Sequence, residues 1–549
     1  MPSKMLTFSD FAKKILTLMM LTFIYLHGFS QERERTIGII KNSEEAFEGY
    51  TLYAPHADTK AYLIDNCGDK VHSWESNYFP GNAVYLTEDG SLYKAGKTSD
   101  TVINAGGAGG IIEKFSWEGE LLWSFTYSNN SHRHHHDFQV LDNGNVLVLA
   151  WGRRTFEEAI AMGRDSASME EGELWPEHIV EVKPVGNTGG QIVWKWDSWD
   201  HLIQDRDENK PNYGVVSDHP EKININYHGD NSADWHHANS LNYNPELDQI
   251  AISIHSFDEF WIIDHNTTTE EAAGPKGDLL YRWGNPATYD SGTEEDQQLF
   301  GQHTVHWIPP GLPDAGLMLV FNNGRDRKPD LYTSVVKINT MFDANDGYQL
   351  SGDGTFLPET FDWEYTAPTP TDFYSRFISG AQQLPNGNIL IDNGAAGTFF
   401  EINEADEVVW KYVNPLTPTG LLAHGDDVLN NVVFRATRYP LDYPAFDGRT
   451  IESQGPIEED IIEFDCGDEL LKIDGTQQVS FYPNPAKDQL IIESYQKPLS
   501  YTLTDLYGRM ISKGTVESKV NIDIRHLKNG IYLLKFNDGE THRIIIGKR

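Results

Sequence analysis

Three histidines stand where the chain is about to enter a strand-like run. His136 precedes "DFQVLDNGNVLVLA", His237 precedes "ANSLNYNPELDQIAIS" and His303 precedes "TVHWIPPG". Imidazole is mostly unprotonated at neutral pH, with an ordinary pKa of about 6.5, so it can serve as nucleophile or base and, once protonated, as acid. Two arginines follow the third site in "FNNGRDRK", Arg325 and Arg327. A planar guanidinium fork suits an anion whose charge is spread over several oxygens better than a lysine ammonium does. Asn239 and Asn322 flank the same stretches and suit turns as readily as substrate contact. His136 belongs to "HRHHHD", which a solvated polar loop explains as well as a catalytic role does. Its histidines and Asp137 are adjacent in sequence and lack the spacings of a helical metal motif, so no metal is expected.

The elements that must position these residues repeat. A turn bearing Gly or Asp leads into apolar residues and then aromatics, in six places. These are "CGDKVHSW" (Trp74), "EGELLWSF" (Trp123, Phe125), "GGQIVWKW" (Trp194, Trp196), "KGDLLYRW" (Tyr281, Trp283), "ETFDWEY" (Trp363, Tyr365) and "ADEVVWKY" (Trp410, Tyr412). Alternate aromatics fall on one face of a strand, where they would pack between neighbouring sheets. Asx-Gly hairpin signals accompany them in "AVYLTEDGSLYKAG", "DFQVLDNGNVLVLA" and "AQQLPNGNILIDNG". The one amphipathic helix pattern is short, near "TFEEAIAMGRD". The expectation is an all-β chain, a six-bladed β-propeller over residues 31–472 followed by a small C-terminal β-sandwich over 473–549. In a propeller the first strand of each blade lines the central channel, so the three histidines would converge at its mouth.

Bulk properties narrow the function classes. With 43 Lys and Arg against 82 Asp and Glu the formal net charge is −39, which argues against nucleic-acid binding. An anionic substrate would need local positive charge against that background. Residues 1–30 read as an export signal: Lys13 and Lys14 precede an apolar run from Ile15 to Leu26, and Gly28 and Ser30 stand before a plausible cut. The run is too short to span a bilayer comfortably, and no later segment is apolar enough, so no stable membrane span is expected. Cys67 in "DNCGDKV" and Cys466 in "FDCGDEL" are either two buried thiols or one bridge joining the ends of the ring. "GSLYKAGKTSD" is not a phosphate loop, because five residues separate Gly90 from Gly96 and no helix follows.

Two resemblances add to this reading. The tail, with "YPNPAKD", "LYGRMI", "IDIRHLKNGIYLLKF" and a basic terminus, resembles the type A sorting domain of the type IX secretion system. That implies handling by the secretion machinery and a secreted or cell-surface protein. The main body is similar to the bacterial arylsulfate sulfotransferases, through "HHANSLNYNPELDQIAISIHSFDEFWIIDH", "YRWGNP", "GQHTVHWI", "LMLVFNNG" and "NVVFRATRYPLDYPAFDG". The resemblance implies a six-bladed propeller that passes a sulfuryl group from a phenolic sulfate to a phenol through a sulfated histidine, with neither nucleotide nor other cofactor. It carries the channel histidines onto His237 and His303 and the sulfate-binding arginine onto Arg325, with Arg327 as the other register. Where the nucleophilic histidine is expected, in the fifth blade, "FISGAQQLPNGN" offers Ser379 and Gly380, and His424 of "LLAHGDD" lies in the sixth. A transferase on phenolic sulfates and a non-catalytic propeller binding sulfated or phenolic ligands, or sulfated glycans, therefore both remain on the table.

Overall fold

A computed structural model describes residues 33–99, 102–227, 232–464, 466, 479–482, 486–487, 489–494, 499–505, 509–536 and 541–547. The expected export signal lies outside these residues. The chain divides into two compact units, Met1–Ile462 and Glu463–Arg549.

Among the described residues the first unit holds six antiparallel sheets of four or five strands, with three small two-stranded ones in the connections. The innermost strands, in chain order, are Pro80–Leu86, His132–Val140, Ala238–Asn244, His303–Trp307, Gly380–Gln383 and Val433–Pro440. The last joins Gly49–Pro55, Lys60–Ile64 and Lys70–Glu75, so the two ends of the ring share one sheet, called the first below. The earliest strand, Gly38–Asn42, adds a fifth strand to the sixth sheet by pairing with Val408–Val413. The unit is propeller-like.

Hydrogen bonds between consecutive innermost strands run right round the axis. Tyr85 Oη donates to Asp137 and Leu241 N–H to the same carboxylate, Val305 N–H to Ser240 Oγ, and Thr304 Oγ1 to the Ser379 carbonyl. Arg438 N–H then donates to Gln382 Oε1, and Leu86 N–H to Tyr439 Oη, which closes the circle. The aromatic repeat proves to be the fourth strand of every sheet, where its indoles reach the next one. Trp74 Nε1–H donates to the Ser116 carbonyl, Trp123 to Gly189, Trp194 to Thr267 Oγ1 and Trp410 to Asn66. Burying an indole requires a partner for its N–H, and the neighbouring sheet supplies one.

The hairpin readings place the first two strands of three sheets. Gly144 (φ +81°) and Gly387 (φ +97°) sit in the left-handed region at the tips, where a Cβ would be strained. The short helix is Phe156–Ala161, closed at its start by a capping box between Thr155 and Glu158. The second unit has two sheets, Val479–Tyr482 with Gln489–Ser494 and Lys519–Asp523, and a four-stranded one built on Leu499–Asp505. Leu490, Leu503, Val516, Leu534 and Ile544 fill the layer between them, the arrangement of a small β-sandwich.

Candidate active site

Five imidazoles form an unbroken chain near the axis. The ring centroids of His135 and His136 are 5.2 Å apart, those of His136 and His237 4.8 Å, of His237 and His255 5.2 Å, and of His255 and His303 5.3 Å. Every contact is edge-to-face. The sequence thus placed three members correctly in one cluster, although they do not share one position. His136 and His237 (both φ +49°) are themselves left-handed residues, His237 just ahead of its strand and His136 at an irregularity in the middle of His132–Val140. In the fifth sheet the left-handed residue is Thr304 (φ +50°), and His303 precedes it. Non-glycine residues in this region carry strain that the surroundings must hold, and such residues gather at functional sites.

Each histidine has a distinct set of partners. His237 Nδ1 lies 2.5 Å from Asp234 Oδ2, three residues earlier in the loop that leads into the strand, so the carboxylate fixes a proton on Nδ1. His303 Nδ1–H donates to Asn323 Oδ1 (2.8 Å), and its Nε2 accepts the Ile378 N–H (3.1 Å). His136 is buried in a strand, not in a solvated loop, with its Nδ1 2.9 Å from His135 Nδ1. His255 is buried with no hydrogen-bond partner for Nδ1 among the described residues. Burial holds the His303 imidazole down to about 3 and pushes His136 and His255 well below the ordinary histidine value, with the neighbouring histidines adding to the effect. These rings are neutral imidazoles at pH 7.

A cavity of about 250 Å³ opens beside the chain, lined among others by Trp175, Asp234, His237, His255 and Arg325. Arg325 approaches His255 across Gly301, whose absent Cβ would lie 3.0 Å from the arginine's Cβ and 3.2 Å from His255 Nε2. His136 and His303 do not line the cavity and reach it through the rings of His237 and His255. Arg327 stands apart from this cavity. Its Nη2–H donates to Ser334 Oγ, and its guanidinium lies 4.0 Å from the Tyr332 ring centroid and 5.1 Å from that of Phe300. Asn322 accepts the Phe300 N–H and donates to the Gln298 carbonyl, and Asn239 donates to the Gln302 carbonyl, so the contacts of both are with backbone.

The stretch without a histidine begins the sixth sheet in this numbering, not the fifth. Ile378 supplies the N–H to His303, while Ser379 Oγ pairs with Ser375 Oγ and accepts the Gly394 N–H. His424 is bonded through Nδ1 to the Thr36 N–H, and its own N–H donates to Asp460, far from the imidazole chain in its contacts. Beneath the histidines Arg435 joins Asp137 Oδ2 (3.0 Å), Tyr85 Oη (2.7 Å) and Thr304 Oγ1 (3.3 Å). Both cysteines, Cys67 and Cys466, are disulfide-bonded.

Sequence reasoning passed over His255, Asp234, His135, Glu177 and Arg435. His255 follows the second strand of its sheet, Gln249–Ile254, whereas the sequence pattern singles out residues ahead of first strands. Asp234 stands three residues before His237 in "DWHH". Glu177 begins the third strand of its sheet and carries no local pattern.

The arylsulfotransferase (ASST) family model matches residues 39–417, most of the chain, and the secretion system C-terminal sorting domain matches 480–547. The chain belongs to the arylsulfotransferase family. Its tail is a type IX sorting domain, which marks a secreted or cell-surface protein. No curated protein matches it. Among solved structures, a protein of unknown function from Bacteroides caccae is 13% identical over 72% of this chain and 99% of its own, with a TM-score of 0.39. A virginiamycin B lyase from Staphylococcus aureus is 8% identical over 70% and 90%, at 0.32. A periplasmic gluconolactonase from Pseudomonas aeruginosa is 10% identical over 66% and 94%, at 0.35. No helix among the described residues is long and apolar enough to cross a membrane.

Proposed function

We propose that the protein is an exported aryl sulfotransferase that moves a sulfuryl group from a phenolic sulfate to a phenol in two half-reactions through an N-sulfo histidine. The observation that carries this reading is the contact of the imidazole chain with an arginine-lined cavity: His237, His255 and Arg325 line it together, and His136 stands directly behind His237. Asp234 keeps the His237 proton on Nδ1, which leaves the lone pair of the ring on Nε2 and makes His237 the nucleophile. As the S–N bond forms and the S–O bond breaks, Asp234 steadies the positive ring. A departing phenolate, whose parent acid has a pKa of about 10, takes a proton from a neighbouring imidazole, and His136 is the ring nearest to His237. Arg325 faces the sulfuryl oxygens. His303, held at both nitrogens, fixes His255 in place. The acceptor phenol reverses these steps, with its oxygen attacking sulfur and His237 leaving.

A second reading, a propeller that binds sulfated ligands without turning them over, is favoured by Ser379 and Gly380 standing where a histidine is expected. Incubation with 4-nitrophenyl sulfate, with and without phenol, separates the two. Nitrophenol release that depends on phenol supports the transferase, release in both samples indicates hydrolysis, and release in neither leaves a binding protein. His237→Ala should abolish release, and undiminished turnover in that variant would remove His237 from the mechanism.

A further inference from the structure

The deepest part of the imidazole chain has no role in the scheme above. His135 is fully buried, with its ring stacked 3.9 Å from that of Trp151, and its two nitrogens face different partners. Nε2 lies 2.7 Å from Glu177 Oε2 and Nδ1 lies 2.9 Å from His136 Nδ1. Glu177 is fully buried too, and its other oxygen accepts the N–H of Ala238, the residue after His237. The carboxyl, two imidazoles and the His136 Nε2 therefore form one continuous line.

We propose that Glu177 and His135 are a proton relay for His136, and that Glu177 holds the phenolic proton between turnovers. This rests on the sulfotransferase reading. Only two arrangements satisfy the hydrogen bonds with neutral rings. In one, the Glu177 carboxyl is protonated and donates to His135 Nε2, His135 Nδ1–H donates to His136 Nδ1, and His136 carries its proton on Nε2. In the other, Glu177 is a carboxylate accepting from His135 Nε2–H, His136 Nδ1–H donates to His135 Nδ1, and His136 Nε2 bears a lone pair. The first is an acid and the second a base.

In the first half-reaction His136 Nε2–H protonates the departing phenolate. One proton then passes from His135 to His136 and one from Glu177 to His135, leaving a carboxylate. In the second, His136 Nε2 takes the acceptor's proton, the same shifts run backwards, and Glu177 is protonated again. No imidazolium persists at any stage.

The surroundings favour such a relay over a single charged histidine. Burial holds His135 down to about 3 and His136 well below the ordinary histidine value, so a proton resting on either ring is costly. Glu177 is raised well above the ordinary carboxyl value by burial and by Asp234, with Asp197 adding to this while the Ala238 N–H and His237 oppose it. The resting proton thus sits on the carboxyl.

Glu177→Gln keeps the shape and the hydrogen bonds and removes the proton store. With phenyl sulfate, whose leaving group needs a proton, single-turnover release should fall by about 10²-fold or more. With 4-nitrophenyl sulfate, whose phenolate is far more stable, it should fall only a few-fold. An equal fall on both esters, or no fall on either, would overturn the relay. Wild-type protein that releases neither phenol would instead overturn the sulfotransferase reading. Infrared difference spectra of the wild-type protein give an answer even where the variant does not fold. Sulfation without acceptor should remove the carbonyl band of a protonated buried carboxyl, and adding phenol should restore it; an unchanged band rejects the proposal.

Discussion

At the residue scale the site depends on which imidazole nitrogen carries a proton and on one guanidinium. Arg325 sits on the cavity wall beside His255, where on the proposed reading a guanidinium fork would contact two sulfuryl oxygens at once and a lysine only one. Arg325→Lys should therefore lower kcat/KM for aryl sulfates several-fold, and Arg325→Ala about 10²-fold. Arg327→Ala, remote from the cavity, should leave the steady-state constants close to wild type per folded molecule. Equal losses in the two alanine variants would show that the cavity is not the reaction site. His136, His237 and His303 were legible in the sequence because each precedes a recognisable strand pattern, although His136 proves to lie inside its strand and His303 to begin one. Arg325 was legible through the resemblance around "FNNG". His135 and Glu177 were not, because their partnership joins two strands of one sheet across a long connection, and spacing along the chain carries no trace of it.

At the scale of elements the ring is held by side chains that each bridge two sheets. Arg435 on the innermost strand Val433–Pro440 meets Asp137 from the third sheet, Tyr85 from the second and Thr304 from the fifth. Although burial pulls the guanidinium down, Asp137 and Tyr85 raise it above its ordinary value, so the arginine is charged inside the protein. Removing one partner of such a pair leaves an uncompensated buried charge, so Arg435→Met should destabilise the ring by about 3–5 kcal/mol. Asp137→Asn with Arg435→Met together should recover part of that loss in denaturant titrations. Gly107 offers a contrasting test. Its φ is +79°, and an added Cβ would lie 2.0 Å from the His136 ring. Gly107→Ala should displace that ring and lower kcat by more than tenfold, a larger effect on activity than on the denaturation midpoint; full activity would show that the His136 position is not critical. The sequence announced the strands and the aromatic repeat because both are local patterns. It could not announce the axial lock, whose members lie on four sheets.

For the whole molecule the accumulation of buried neutral imidazoles has a consequence for stability. His134, His135, His178 and His303 are all buried and held down to about 3, first by desolvation, and burial likewise puts His136, His236 and His255 well below the ordinary histidine value. In the unfolded chain these groups titrate near 6.5, so between about pH 6.5 and 3 the unfolded state binds more protons than the folded one. Stability must therefore fall as the pH falls through this window, by about 1.4 kcal/mol per pH unit for each histidine fully engaged. Glu177 and Asp392 act in the opposite sense. Both are raised well above the carboxyl range, by burial first, so the folded state binds their protons before the unfolded chain does and their contribution to stability rises on acidification. Burial raises Asp65, Glu113, Glu259, Glu401 and Glu458 in the same way, but with His56, His72, His132, His306 and His424 also lowered the histidines outnumber the raised carboxyls among the described residues. Denaturant midpoints measured from pH 7 downward should drop steeply below about 6.5, well before ordinary carboxylates titrate. Replacing His178, which bonds Tyr127 Oη and lies outside the imidazole chain, by glutamine should flatten the curve while raising or lowering its plateau only modestly. A midpoint constant down to pH 4.5 would mean that these rings are not neutral and buried together, and the tautomer argument for the active site would fall with it.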